Sequence, residues 1–153
     1  MFLKKMWREG NYLAEDFYPV GLLARIENIS EEDVVQIRTI ERVEILNPQI
    51  DGGNISAAYA VRPSVEDMPE EEQQEIFSSL RSALLRFVQG YQWGLWARGY
   101  ILQRKNAYDL ISSLSEYLNL SPEEKYQILS ADSVRSRYEL IRQAVNEFME
   151  IAK

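Results

Sequence analysis

Residues 18–46 read YPVGLLARIENISEEDVVQIRTIERVEIL, and this stretch decides the fold. Apolar and polar side chains alternate on both sides of a short polar segment, residues 28–32, and β-branched residues are frequent. Alternation with a period of two residues is typical of β-strands, and a polar break is typical of the turn that joins two of them. The stretch therefore predicts a β-hairpin.

Two turn signals follow the hairpin, at Asn47-Pro48 and at residues 51–54 (DGGN). Beyond them, residues 55–61 (ISAAYAV) predict a third strand, which Pro63 ends because proline cannot donate to a strand ladder.

The pattern changes after the third strand. Residues 64–72 are acidic and contain Pro69, so we interpret them as a linker or the start of a helix. This boundary predicts two parts, a β-rich lobe at residues 1–66 and a helical lobe at residues 67–153.

From Glu70 onward, the apolar residues recur at the spacing of an α-helix. The apolar face of this first helix is predicted to comprise Ile76, Leu80, Leu84, Phe87, Val88 and Tyr91. A second helix is predicted from Ala107 to Leu118, with Asn106 as its cap. A separate short helix is predicted at Met1–Tyr12, where Leu3, Met6 and Trp7 would share one face.

Two more helices are predicted near the C-terminus. Residues 121–124 (SPEE) form a capping box with proline at the first helical position, and they open a short helix to about Leu129. Asp132 or Ser133 caps a final long helix with one continuous apolar stripe. The stripe comprises Val134, Tyr138, Ile141, Val145, Phe148 and Ala152, and its end near Phe148 and Met149 is expected to lack a partner within the chain.

Composition excludes several classes of function. Acidic residues outnumber basic ones, 24 to 17, and the net charge of −7 disfavours nucleic acid as a partner. The chain contains neither cysteine nor histidine, which excludes disulfides, thiolate metal sites and histidine-based catalysis. No apolar run reaches the roughly 18 residues of a membrane span, and the N-terminus lacks the apolar core of a signal peptide. We therefore expect a cytoplasmic protein without a membrane partner.

The hairpin resembles a known family. Residues 18–26 (YPVGLLARI) are similar to the Tyr-x-Val-Gly-x-x-Ala-x-Ile strand of the Lon protease N-terminal domain. Residues 37–45 (IRTIERVEI) resemble that family's Val-x-Gly-x-x-Arg-x-x-Ile strand, which Arg42 and Ile45 match. Thr39 stands where the family usually has glycine, so we expect a different local bend there.

The helical half resembles the same family. The family has an apolar helix ending in His-Leu-Pro-Leu, then a short acidic helix and then a long helix. Residues 117–120 (YLNL), 121–129 (SPEEKYQIL) and 132–137 (DSVRSR) stand in these three places. The resemblance covers the chain from about Leu13 to its C-terminus, and the family's first strand pair and helix have no counterpart.

The resemblance implies an α+β fold, in which a small antiparallel sheet or partial PUA-like barrel precedes an α-helical lobe that ends in a long helix. It also implies the non-catalytic substrate-recognition and assembly module of a Lon-type ATP-dependent protease, which engages unfolded or damaged polypeptides. A stand-alone adaptor or ligand-binding protein with the same fold is the alternative. An unrecognised hydrolase is the third hypothesis, and a phosphate loop encoded downstream of Lys153 would separate the first two.

The candidate recognition surface is the segment from Tyr91 to Lys105 (YQWGLWARGYILQRK), in which aromatic and basic residues are interleaved. The residues proposed to bind substrate are Tyr91, Trp93, Trp96, Arg98 and Tyr100. Exposed Trp, Tyr and Arg side chains supply much of the binding energy of protein interfaces. The alternative is that Trp93 and Trp96 are core residues that join the two lobes, and stacking of nucleic-acid bases on the aromatic rings is a weaker alternative.

Other candidate sites lack a supporting motif. The acidic pairs at Glu15-Asp16 and residues 31–33 (EED) are interpreted as solvated surface rather than metal or acid–base sites. No phosphate-binding loop is present, and no serine–lysine pair has the context of the Lon protease module. We therefore expect no catalytic residue, no metal and no cofactor in this chain.

Self-association is expected from what the resemblance lacks. Without the family's first strands, the sheet should have an open edge and Leu22, Leu23 and Ile37 should be partly uncovered. A homodimer or larger assembly is therefore predicted, unless Met1–Trp7 covers the sheet.

Overall fold

The computed structural model describes residues 13–30, 34–51, 54–114 and 120–151. The chain divides into two compact units, Met1–Pro63 and Ser64–Lys153. The first unit contains a β-sheet and the second contains α-helices, so the predicted α+β class is confirmed. The predicted helix at Met1–Tyr12 lies outside the described residues.

The first unit is a three-stranded antiparallel sheet in the order β1-β2-β3. Strand β1 spans Val20–Ile29, β2 spans Val35–Asp51 and β3 spans Asn54–Val61. A short 3-10 turn, Ala14–Asp16, precedes them. The predicted hairpin and third strand are both present, because the period-two pattern of this region matches the pleat of a strand.

Strand β2 is longer than the sequence pattern predicts. We expected Asn47-Pro48 to form a turn, but β2 continues through both residues to Asp51, so that prediction is wrong. The register with β3 shifts between Leu46 and Gln49, and Asn47 has a φ of 47°. Asparagine tolerates this left-handed conformation, and a bulge accommodates a proline that cannot donate to the ladder.

A second irregularity lies next to Thr39, where the resemblance leads us to expect a different bend. Leu23 pairs with Glu41 and Ala24 pairs with Thr39, so Ile40 is an extra residue on β2. Such a bulge increases the local twist and bends the strand.

Two polar side chains close the ends of the sheet unit. Asp16 is only 9% exposed, and its carboxylate accepts a 2.9 Å hydrogen bond from the Leu13 N–H, so our interpretation of Asp16 as solvated surface is wrong. Arg42 donates from Nε to the Arg62 carbonyl at 3.2 Å and from a terminal nitrogen to the Pro63 carbonyl at 2.9 Å. Arg42, which matches the family pattern, therefore fixes the end of β3.

The second unit contains five α-helices within the described residues. They are α1 (Glu70–Val88), α2 (Gly94–Leu102), α3 (Ala107–Leu114), α4 (Pro122–Ser130) and α5 (Val134–Ile151). No helix among the described residues is long and apolar enough to span a membrane.

The predicted caps of three helices are confirmed. Asn106 accepts from the Asp109 N–H at 2.8 Å, before α3. Ser121 and Glu124 form the reciprocal capping box of α4, with bonds of 3.2 and 2.7 Å. At α5, the cap is Ser133, whose hydroxyl accepts from the Ser136 N–H at 2.9 Å. Each of these contacts joins residues three positions apart, so the sequence alone predicts it.

The core of the second unit is built on α5. The predicted stripe is buried at Val134, Tyr138, Ile141 and Val145. On α1, the buried residues are Phe77, Leu80, Leu84 and Val88, whereas the predicted Ile76 is only partly buried. Helices α1, α3 and α4 pack against α5.

A polar cluster joins the start of the second unit to the N-terminus of α5. Val65 pairs with Ser133 in a parallel bridge. Asp67 accepts hydrogen bonds from the Arg135 N–H at 3.0 Å and from the Ser133 hydroxyl at 2.6 Å, and these two donors hold the pKa of Asp67 below its usual value. The Arg135 guanidinium also pairs with Glu72 of α1.

This cluster predicts an acid-dependent loss of stability. Because the pKa of Asp67 is lower in the folded chain than in the unfolded one, its carboxylate stabilises the fold fully above the unfolded pKa. That contribution is lost as the pH falls through the folded pKa. We expect Asp67→Asn to lower the free energy of unfolding at neutral pH, with a difference from wild type that shrinks as the pH is lowered below about 4. Urea unfolding at several pH values measures this difference, and a constant difference would show that the charge is not the cause.

Candidate functional site

The second unit contains an apolar cavity of about 530 Å³. It lies among the C-terminal half of α1, the following turn, α2 and the C-terminal part of α5. The lining residues are Leu84, Phe87, Val88, Tyr91, Trp93, Trp96, Ala97, Tyr100, Ile101 and Phe148. A volume of this size falls in the range of small-ligand pockets.

The backbone at Gly94 brings α2 against the end of α1. A Cβ atom on Gly94 would lie 2.0 Å from the Val88 carbonyl oxygen. The turn is closed by hydrogen bonds from the Tyr91 N–H to the Val88 carbonyl at 3.2 Å and from the Gly94 N–H to the Tyr91 carbonyl at 2.9 Å. Only glycine permits so close an approach, and the aromatic residues on both sides of it are placed around one cavity as a result.

Aromatic contacts form the walls of the cavity. Tyr91 and Trp93 are stacked with ring centroids 4.9 Å apart. Trp96 and Tyr100, which are four residues apart on α2, are stacked at 5.6 Å. From α5, Phe148 meets Phe87 edge to face at 5.5 Å, so the expectation that Phe148 lacks a partner within the chain is wrong.

The cavity has a buried floor and an exposed rim. Leu84, Val88 and Ile101 are almost fully buried beneath it. By contrast, Trp93 is 49% exposed and Trp96 is 63% exposed. The alternative interpretation of the two tryptophans as core residues is therefore wrong, and the cavity presents their rings to solvent.

Four of the five predicted binding residues line this cavity: Tyr91, Trp93, Trp96 and Tyr100. Arg98 is exposed on α2 but is not part of the lining. It lies two positions from both Trp96 and Tyr100, and two positions on a helix point to nearly opposite sides. The helical spacing therefore already indicated that Arg98 does not share a face of α2 with Trp96 and Tyr100.

Sequence reasoning missed the contributions of α1 and α5 as well as one cation. Phe87 and Phe148 were assigned only to apolar faces of helices. The guanidinium of Arg104 lies 4.4 Å from the centroid of the Tyr100 ring, and its Nε donates to the Tyr100 carbonyl at 3.2 Å. The spacing of four residues between Tyr100 and Arg104 was the available signal.

The lining offers shape and apolar surface rather than reactive groups. It contains no acidic or basic residue, and the polar side-chain groups of its residues are two tyrosine hydroxyls and two indole N–H groups. Among the described residues, no group of acidic side chains is placed to hold a metal ion. The acidic residues 31–33, which the sequence pattern led us to interpret as solvated surface, lie outside the described residues. Such a cavity is suited to binding an apolar group.

The chain belongs to the family of the ATP-dependent protease La (LON) substrate-binding domain, whose family model matches residues 5–147. The resemblance drawn from the hairpin and the helical half is thereby confirmed.

Two relatives illustrate the match. The Lon protease of Clostridium beijerinckii is 23% identical over 138 residues, which are 88% of this chain and 17% of that protein. This chain thus spans about a sixth of the length of its curated relative. The N-terminal domain of the Mycobacterium avium complex Lon protease has a similar fold, with a TM-score of 0.64 and 16% sequence identity. That similarity covers 89% of this chain and 74% of the solved one.

The geometry at Gly94 predicts opposite effects for two glycines of the same helix. Gly94→Ala forces a Cβ against backbone atoms, so we expect a destabilisation of roughly 1–3 kcal/mol together with a disturbed cavity. Gly99→Ala meets nothing within 4 Å and removes a flexible residue from α2, so we expect a gain of about 0.5–1 kcal/mol. Thermal and urea unfolding measure both effects, and equal effects of the two substitutions would contradict the close approach at Gly94.

Proposed function

We propose that this chain is the substrate-recognition module of a Lon-type ATP-dependent protease, and that it binds unfolded or damaged polypeptides in the cytoplasm. The observation that carries the proposal is the solvent-exposed aromatic cavity of a chain that belongs to a family of substrate-binding domains. The chain itself catalyses nothing under this proposal, since it contains no histidine or cysteine and no phosphate-binding loop.

The chemistry of the cavity favours unfolded chains over folded ones. Folded proteins bury most of their large apolar side chains, whereas unfolded chains expose them. Transfer of such a side chain from water to the apolar floor at Leu84 and Ile101 is favourable. The stacked rings at the rim are held by their neighbours, so little side-chain entropy is lost when a ligand binds.

Trp96 provides the direct test of this proposal. We expect Trp96→Ala to weaken binding of casein, a largely unfolded protein, by roughly 1–2 kcal/mol, or about five- to thirty-fold. Because Trp96 is 63% exposed, its truncation should change Tm by less than about 2 °C. Fluorescence anisotropy with labelled casein and a thermal melt measure the two quantities.

Leu95→Ala is the matched control, because Leu95 is a neighbouring apolar residue that is 88% exposed and does not line the cavity. This variant should bind casein as wild type does. If both variants lose the same affinity for casein, or if neither variant loses affinity, the cavity is not the binding site for unfolded chains. A large fall in Tm for Trp96→Ala would instead show that its ring belongs to the core.

We also propose that the sheet unit self-associates. Within the described residues β1 and β3 each pair only with β2, so each has an outer edge without a neighbouring strand. Ile26 and Ile37, which pair across the two strands, are both 60% exposed. Open edges and exposed apolar side chains favour pairing with a second chain.

Ile37→Lys tests this association. Wild type should sediment as a dimer or larger species at high concentration, and a charge on the sheet should shift it toward monomer. Leu102→Lys makes the same change at a residue of α2 that is 48% exposed, and it should leave the assembly unchanged. A monomeric wild type over the whole concentration range of a sedimentation equilibrium experiment would contradict the proposal.

A further inference from the structure

The charges of the segment that supplies most of the cavity lining are unlike those of the rest of the chain. The chain has a net charge of −7, yet no acidic residue occurs between Glu75 and Asp109. This interval supplies nine of the ten cavity-lining residues, all except Phe148. The basic residues of the same interval are Arg81, Arg86, Arg98, Arg104 and Lys105.

Arg104 places one of these charges next to a residue of the cavity lining. Its guanidinium lies over the ring of Tyr100, a lining residue, at 4.4 Å. Its Nε donates a hydrogen bond to the Tyr100 carbonyl. No carboxylate within the described residues forms an ion pair with Arg104. The remaining guanidinium nitrogens can therefore donate to a ligand.

The acidic residues of the neighbouring helix α5 belong to other surfaces. Glu147 and Glu150 line a separate groove with Arg135 and Arg142, and Glu147 accepts a 2.7 Å hydrogen bond from Gln143. They are not part of the cavity lining, to which α5 contributes only Phe148. The cavity lining thus carries no negative charge, and the Arg104 guanidinium lies against one of the lining residues in an otherwise acidic protein.

We infer that the cavity takes an aromatic or large aliphatic side chain from a polypeptide segment in which acidic residues flank that side chain. This inference rests on the proposed function and specifies its substrate class. The apolar group enters the cavity beside the stacked rings, and the flanking carboxylates lie near Arg104. The negative charge elsewhere on the chain disfavours such a segment at other surfaces.

Four short labelled peptides separate the contributions. The first carries a central phenylalanine flanked by aspartates, the second has serines in place of the aspartates, and the third has lysines. The fourth keeps the aspartates and replaces phenylalanine by serine. In anisotropy titrations at low salt, we expect affinity to fall by about tenfold from the acid-flanked to the lysine-flanked peptide. The serine-flanked peptide should lie between them, and the peptide without phenylalanine should bind at least about tenfold more weakly than the first.

Two variants and a change of ionic strength test whether Arg104 causes the preference for acidic flanks. Arg104→Gln should reduce the preference for acidic flanks and retain binding of the serine-flanked peptide. Lys125→Gln, which removes the same charge from an exposed position on α4, should leave the preference intact. Raising the ionic strength from about 0.05 to 0.5 M should also compress the preference, because screening weakens exposed charge pairs.

The outcomes distinguish this inference from the proposed function. If casein binds and the three phenylalanine peptides bind with the same affinity as one another, the proposed function stands and the inference is overturned. Equal binding of the peptide without phenylalanine also overturns it, as does tighter binding of a single-stranded oligonucleotide than of the acid-flanked peptide. If neither casein nor any peptide binds, the proposed function fails and the inference fails with it.

Discussion

Burial of one apolar stripe on α5 is the interaction on which the helical unit depends. Ile141 and Val145 have no solvent exposure, and three other helices pack against this helix. Because removal of apolar surface from water is the main favourable contribution to folding, the stripe determines which faces of α1, α3 and α4 turn inward. The polar cluster of Asp67, Ser133 and Arg135 then sets where the stripe begins relative to the start of the unit.

The cavity is a consequence of how this packing ends. Helix α1 packs against α5 and ends at Val88. Gly94 then lets α2 approach the last turn of α1. The rings of Trp93 and Trp96 are exposed to solvent. Large aromatic side chains of a monomeric protein are ordinarily more fully buried than this. A stable core therefore supports an exposed apolar surface.

The sheet unit follows a different principle. Its buried apolar side chains within the described residues are Phe17, Val20 and Val43, while much of the rest of the sheet is exposed. Backbone pairing and side-chain hydrogen bonds, such as those of Arg42 to the end of β3, define its shape. Among the described residues, β1 and β3 each have an outer edge without a neighbouring strand, and this distinguishes the sheet from the closed core of the helical unit.

The sequence by itself determined the features that act over a few residues. Alternation placed the strands, helical periodicity placed the buried stripe of α5, and the capping box at Ser121 placed the start of α4. Each of these depends on contacts within about four residues or on a repeating pattern, so the sequence pattern alone predicts it. By contrast, the turn predicted at Asn47-Pro48 was wrong, because pairing of β2 with β3 makes these residues part of a bulge.

Tertiary structure alone decided the character of the candidate site. An aromatic residue on a helix can serve a core or a surface equally well, so the sequence could not tell whether Trp96 is exposed. The contact of Phe87 with Phe148 joins residues far apart in the chain. Burial and enclosure are properties of assembled surfaces, because each requires atoms from several helices to occupy the same region, and no local pattern specifies which helices will meet.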